Sequence, residues 1–297
     1  MKGRKPAGRV RLIGVASGIG ARDRGCEKGP WALKHSHWMH RLAASIEWSD
    51  LIYPRIGLDR WASLADLARR VGDEVARTLV AGDFPVVIGG DHSCALGTWS
   101  GVARTLSGRG PLGLLWIDAH MDSHTPETSA SHAIHGMPLA ALLGHGQPAL
   151  VALAGKRPVL RPEHVCLLAA RSFEEEEAIL LERLSVQIIS ANEVHQRGLG
   201  ISLVEARERV AMGSAGFGVS LDLDAIDPFD APGVGSPEPD GLDGQYLISQ
   251  LAPILADHRL LALEIAEYNP DRDRDQTTLR LIAEVITQLV KRSPDSK

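Results

Sequence analysis

A three-layer α/β/α fold around a mainly parallel central sheet is what this sequence predicts, and three features carry the expectation. Short apolar runs bounded by Gly, Pro or Asp recur along the chain: RLIGVA, PVVIGG, GLLWIDA, HVCLLAA, VQIIS, FGVSLDLDAID and RLLALEIAEY. They are continuously apolar rather than alternating, as strands are when helices bury both of their faces. Segments of helical spacing separate them, and strand alternating with helix is the pattern of parallel βαβ units. No low-complexity linker or internal repeat breaks the pattern, so residues 1–297 read as one domain.

The first strand is expected at Val10–Val15, behind a basic tail. That tail followed by LIGVASGIGA imitates a signal peptide, but the apolar run is too short and too rich in glycine for a typical leader. Residues Ser63–Val80 predict the clearest helix, with Leu64, Leu67, Ala68, Val71, Val75 and Leu79 on one stripe. Ser63 with Asp66 resembles a capping box at its start. Further helices are expected at Glu174–Leu184, Leu203–Met212, Gln245–Ala256 and Thr277–Val290. His35, His37 and His40 fall in a helical stretch at spacings that do not share one face, and Trp31, Trp38 and Trp61 read as packing or oligomer contacts. The stretches Thr125–Gly136 and Asp227–Leu242 read as long functional loops. In sheets of this class ligands bind beyond the carboxyl ends of the strands.

Composition narrows the function. Hydrophobic residues at 44% and charged residues at 23% exclude a disordered chain. A formal charge of -5 provides no positive field for phosphates, so nucleic acid is not expected as a partner. Cys26, Cys94 and Cys166 are too dispersed for a disulfide framework or a structural zinc site, which points to a reducing cytoplasm. No window approaches the roughly 20 apolar residues of a membrane-spanning helix.

Chemistry concentrates at the ends of three apolar runs. Asp118, His120 and Asp122 in WIDAHMD lie at i, i+2 and i+4, so in extended chain they point to one side. Asp222 and Asp224 repeat that spacing in SLDLDAIDP, and His92 follows Gly89 and Gly90, which permit a sharp turn out of a strand. Carboxylates brought together resist desolvation unless a cation neutralises them. Four carboxylates and two imidazoles without a thiolate suit manganese better than structural zinc. Asp91 and Asp227 read as turn or helix caps and stay outside the set. No GxGxxG or Walker loop is present, so nothing indicates a nucleotide.

The order GCEKGP, GGDHS, DAHMD, the SxSxxxHG element of Ser129, Ser131, His135 and Gly136, SLDLDAIDP and EIAEYNP resembles the arginase and agmatinase superfamily, the ureohydrolases. The likeness runs from Gly25 to about Pro270, and the HTPETS loop and RSFEEEE segment are closer to arginases. It implies two Mn²⁺ per subunit, one held by His92, Asp118, Asp122 and Asp222 and the other by His120, Asp118, Asp222 and Asp224. Such a pair lowers the pKa of water toward neutrality beside a guanidino carbon. The resemblance further assigns proton transfer to His135, the guanidinium grip to Glu267, orientation of the nucleophile to Asp122, the α-amino group to Glu174 and a carboxylate contact to Ser131. Glu174 has a second reading, because acidic residues suit the first turn of a helix. Where arginases present asparagines to the substrate carboxylate, this chain has His124, which as an imidazole can still bind that anion, and Ala133, which has no side-chain donor. The expected activity is hydrolysis of L-arginine to L-ornithine and urea by a cytoplasmic homo-oligomer, a trimer or hexamer. N-hydroxyarginine, agmatine, a guanidino acid or formiminoglutamate are the alternative substrates, and a metal-binding regulator without turnover is the alternative from another class.

Overall fold

A computed structural model of the chain describes residues 8–155 and 157–291. The basic tail expected before the first strand lies largely outside the described residues. Eight strands form one sheet: β1 Val10–Gly14, β2 Ile46–Trp48, β3 Phe84–Ile88, β4 Leu112–Ile117, β5 Leu160–Leu168, β6 Gln187–Ile189, β7 Gly216–Asp222 and β8 Leu260–Ala266. Their order is β2-β1-β3-β8-β7-β4-β5-β6, and all adjacent strands run parallel. The helices are α1 Gly29–Lys34, α2 His37–Leu42, α3 Arg60–Ala81, α4 Ala95–Thr105, α5 Pro138–Leu142, α6 Pro148–Val151, α7 Glu175–Arg183, α8 Ala191–Arg197, α9 Leu199–Ala211, α10 Gly244–Leu255 and α11 Thr277–Lys291.

The three layers follow from the two-residue period of the strands. Leu12, Val86, Ile88, Leu115, Ile117, Val219, Leu221 and Leu263 enter one core, with apolar residues of α9, α10 and α11. Their neighbours Ile13, Val87, Leu114, Trp116 and Val165 enter the other, with those of α3 and α4. Both faces are covered, which is why the runs are apolar throughout.

Three local expectations need correction. β2 was not foreseen: it has three half-buried residues at the sheet edge, where burial enforces no apolar run. α3 begins at Arg60, and its cap is Asp59, whose carboxylate accepts the N–H groups of Trp61 and Ala62, rather than Ser63. His35 does not share the helix of His37 and His40, because α1 ends at Lys34 and Ser36 caps α2.

Topology fixes where the chemistry falls. The chain leaves β3, builds β4, β5 and β6, and returns to insert β7 and β8 between β3 and β4. The four central strands β3, β8, β7 and β4 therefore end side by side at one edge.

Candidate active site

Each of those four strand ends delivers part of one cluster. Asp118, His120 and Asp122 follow β4, Asp222 closes β7 with Asp224 in the next turn, His92 lies beyond β3, and Glu267 follows β8. His92 Nδ1 lies 3.2 Å from Asp118 Oδ2, 3.1 Å from Asp122 Oδ2 and 2.9 Å from Asp222 Oδ2. His120 Nδ1 lies 3.5 Å from Asp118 Oδ1 and 3.1 Å from Asp224 Oδ2. Asp118 thus presents one oxygen to each imidazole. Two sets, His92 with Asp118 and Asp222 and His120 with Asp118 and Asp224, each bring three ligand atoms close enough to hold a metal ion. Asp222 belongs to the first set and not to the second; its Oδ1 accepts the backbone N–H of Asp224 at 3.0 Å.

The donors fit a cation. His92 Nδ1 and Asp122 Oδ2 are buried without a hydrogen-bond partner, although carboxylate and imidazole atoms surround them. Burial pushes the carboxyls of Asp222 and Asp224 up, with carboxylate neighbours adding to it, and it raises Asp122 to about 6 with help from Asp118. Carboxylates in that condition gain their charge back when a divalent ion joins them.

A second layer orients the first, and the sequence reading missed it. Trp116 donates its indole N–H to Asp118 Oδ2 at 2.8 Å and stacks on the His92 ring with centroids 4.2 Å apart. Ser220 donates to Glu264 Oε1 at 2.8 Å, so its oxygen accepts from His92 Nε2 at 2.9 Å. That tautomer leaves Nδ1 as the lone-pair donor facing the cluster. Thr98 holds the other oxygen of Glu264. The available signal was spacing: Trp116 stands two residues before Asp118 and Ser220 two before Asp222, on the same side of their strands. Glu264 is the single charge in the buried LLALEIA strand.

The glycines before His92 serve space rather than turn geometry, since neither has a positive φ. A Cβ on Gly90 would lie 1.9 Å from the carbonyl oxygen of Ser17. Asp91 is a cap, accepting Gly20 N–H at 2.8 Å and Ser93 N–H at 3.0 Å, and Asp227 accepts Phe229 and Gly241 N–H groups. Asp122 and Glu267 adopt left-handed backbone, φ 47° and 67°, which is uncommon for residues other than glycine and recurs at functional sites.

His135 sits beside the cluster, its Nδ1 2.9 Å from Glu267 Oε1. Burial lowers its pKa, but the charge and hydrogen bond of Glu267 outweigh that and raise it to about 9. Burial alone would raise the carboxyl of Glu267; His135 reverses the shift and keeps it ionised. Glu267 also accepts His92 N–H at 2.8 Å and the Cys26 thiol at 3.1 Å.

A cleft of about 130 Å³ opens over His120, Asp122, His135, Asp222 and Asp224 and is rimmed by His124, Ser131, Ala133, Glu174, Glu177 and Ser236, with Glu267 buried behind His135. Both readings of Glu174 meet here: it caps α7 in a capping box with Glu177, and it lines the cleft. His124 Nε2 contacts Glu174 Oε2 at 2.8 Å and Nδ1 contacts Thr128 Oγ1 at 3.0 Å. Ser131 is exposed at the rim and accepts Ala133 N–H at 3.1 Å.

Residues 8–291 match the sequence model of the Arginase family. The chain is 37% identical over 284 residues to an arginase of Bacillus caldovelox, covering 91% of this chain and 93% of that protein. The solved native structure of Bacillus caldovelox arginase superposes with a TM-score of 0.88 at 33% identity, covering 95% of this chain and 98% of the other. An Entamoeba histolytica arginase, solved in complex with L-ornithine, gives a TM-score of 0.87 at 25% identity and covers 96% of this chain and 98% of its own.

Proposed function

The chain belongs to the arginase family, hydrolases of carbon–nitrogen bonds in linear amidines, and from that premise we propose that it hydrolyses L-arginine to L-ornithine and urea. The observation that carries this reading is the pair of imidazole–carboxylate groups sharing Asp118, with His135 and Glu267 alongside. His92, Asp118, Asp122 and Asp222 would hold one Mn²⁺ and His120, Asp118, Asp222 and Asp224 the other, an assignment supported by the convergence of hard oxygen and imidazole donors. When bound, the ions acidify water to supply a nucleophile at neutral pH and stabilise developing negative charge.

The chain's own groups do the rest. Ionised Glu267 takes the planar guanidinium, a charge-assisted contact that fixes its carbon over the cluster. Asp122 would accept a hydrogen from the nucleophile and so orient it. His135, protonated at neutral pH, delivers its proton to the departing amine, without which the tetrahedral intermediate cannot collapse toward product. At the rim, Glu174 meets the α-ammonium and His124 holds Glu174 in place, while Ser131 meets the carboxylate. The reading treats residues 1–297 as one domain and takes the enzyme as a cytoplasmic trimer or hexamer, which light scattering on purified protein tests.

The deciding experiment incubates manganese-loaded protein with L-arginine and quantifies urea and L-ornithine. Asp118→Asn removes the shared ligand, so both metal content by elemental analysis and turnover should fall. Full metal content and full activity in that variant would exclude the site.

A further inference from the structure

The outer end of the cleft has a lopsided chemistry. No lysine, arginine, asparagine or glutamine is among its lining residues. Two carboxylates are there, Glu174 at the surface and Glu177 buried, and the side-chain donors beside them are the hydroxyls of Ser131 and Ser236. Ala133 contributes only a methyl group.

His124 is the residue that could have offered an N–H to an anion, and its ring is already committed. Thr128 Oγ1 lies 3.0 Å from Nδ1, and Glu174 Oε2 lies 2.8 Å from Nε2 with Glu177 Oε2 at 3.4 Å. With Glu174 Oε2 this close, a hydrogen on Nε2 points at that carboxylate and not into the cleft. The imidazole thereby fixes a carboxylate at the mouth instead of recognising one. A cationic group entering there meets the carboxylate of Glu174, which the His124 hydrogen bond holds below the usual range, whereas an anionic group meets that like charge and two hydroxyls; Glu177 behind it is raised to about 8 by burial and adds a polar wall rather than a second charge.

We propose that this cleft selects its substrates by a distal ammonium and is nearly indifferent to a distal carboxylate, so that it also hydrolyses ω-guanidinoalkylamines such as agmatine. The proposal rests on the ureohydrolase reading above and adds His124 as the residue that sets its specificity. Hydrolysis follows the same balance: water adds to the guanidino carbon, the carbon–nitrogen bond to the chain breaks, and urea and a diamine leave.

The test compares kcat/KM of the metal-loaded enzyme for L-arginine, agmatine and 4-guanidinobutanoate, which carry both groups, the ammonium alone and the carboxylate alone. L-arginine and agmatine should agree within about tenfold, with 4-guanidinobutanoate at least about 100-fold poorer than either, since one unmet polar group is worth about that much discrimination. His124→Asn frees an amide donor and loosens Glu174, and should raise the preference for L-arginine over agmatine about tenfold or more. A larger gap between L-arginine and agmatine in the native enzyme, 4-guanidinobutanoate rivalling agmatine, or an unmoved ratio in His124→Asn overturns the proposal. Calorimetry provides an arm independent of turnover: L-ornithine and 1,4-diaminobutane should bind within about tenfold of each other, and a wider preference for L-ornithine overturns it too. Absence of urea from every compound, with that binding pattern intact, would sink the hydrolase reading and leave the recognition rule standing.

Discussion

His135 shows how a single residue's environment becomes a rate. Its bond to Glu267 keeps the imidazole charged through neutrality, with a pKa raised to about 9. His135→Asn removes the titratable proton and should lower kcat by about 10²–10⁴, the usual weight of general acid catalysis, with a smaller change in KM. The same pair contributes to stability in a defined window. A raised imidazole pKa stabilises the fold fully below the ordinary value of 6.5, and the contribution disappears as pH climbs through about 9. The melting-temperature gap between wild type and His135→Asn should therefore shrink from pH 6 to pH 10; a constant gap would mean that packing, not charge, links the pair. Behind the cluster, Glu264→Gln disturbs the Ser220 bridge to His92, and metal titration should show affinity weakened about 10–100-fold. The carboxylates were legible as acidic clusters closing apolar runs, but extended-chain alternation is not what gathers them: β4 ends at Ile117, Asp122 has left-handed backbone and Asp224 lies in the turn after β7. Ser220 and Glu264 were not legible, since a buried strand residue announces its partner only when the neighbouring strand is known.

Among the elements, the long ones could be read and their ends could not. The stripe of α3 identified it, yet its first turn is set by Asp59, five residues before Leu64, where that stripe begins. Asp59→Ala leaves the Trp61 and Ala62 N–H groups without that acceptor and should cost about 1 kcal/mol in chemical denaturation, with kcat/KM unchanged. A loss of activity at equal metal content would show that α3 transmits strain to the site. β7 is constrained differently. At Gly218 an added Cβ would fall 2.0 Å from the Trp99 ring, in a core where Trp99 is fully buried. Gly218→Ala should destabilise by roughly 1–3 kcal/mol, the range for overpacked cores, and should also reduce metal binding because Ser220 and Asp222 lie on the same strand. β2 escaped notice for the opposite reason: an edge strand of three half-buried residues carries no compulsory pattern.

At the scale of the whole molecule, the sheet order that joins four strand ends also loads the fold's centre with charge it cannot hold alone. Asp118, Asp122, Asp222 and Asp224 are all buried. Without cations, burial lifts Asp122 from its ordinary 3.8 to about 6, so the metal-free fold favours the protonated carboxyl. That preference helps the fold below 3.8 and is lost as pH rises through about 6, leaving at neutral pH a surplus of buried carboxylates that the raised imidazoles of His92 and His120 offset only in part. Cations reverse this, since they bind the ionised form and only the folded chain gathers the ligands. Free metal at about 100 times its Kd should add about 2.7 kcal/mol to unfolding, and chelation should withdraw it. The difference in melting temperature between manganese-loaded and chelated protein should therefore be small near pH 5 and widen toward pH 8, as protons cease to compete for the carboxylates. Equal melting temperatures at pH 8 with and without chelator would mean that the six side chains are stable together unaided, and that the charge argument for the two-cation site is mistaken.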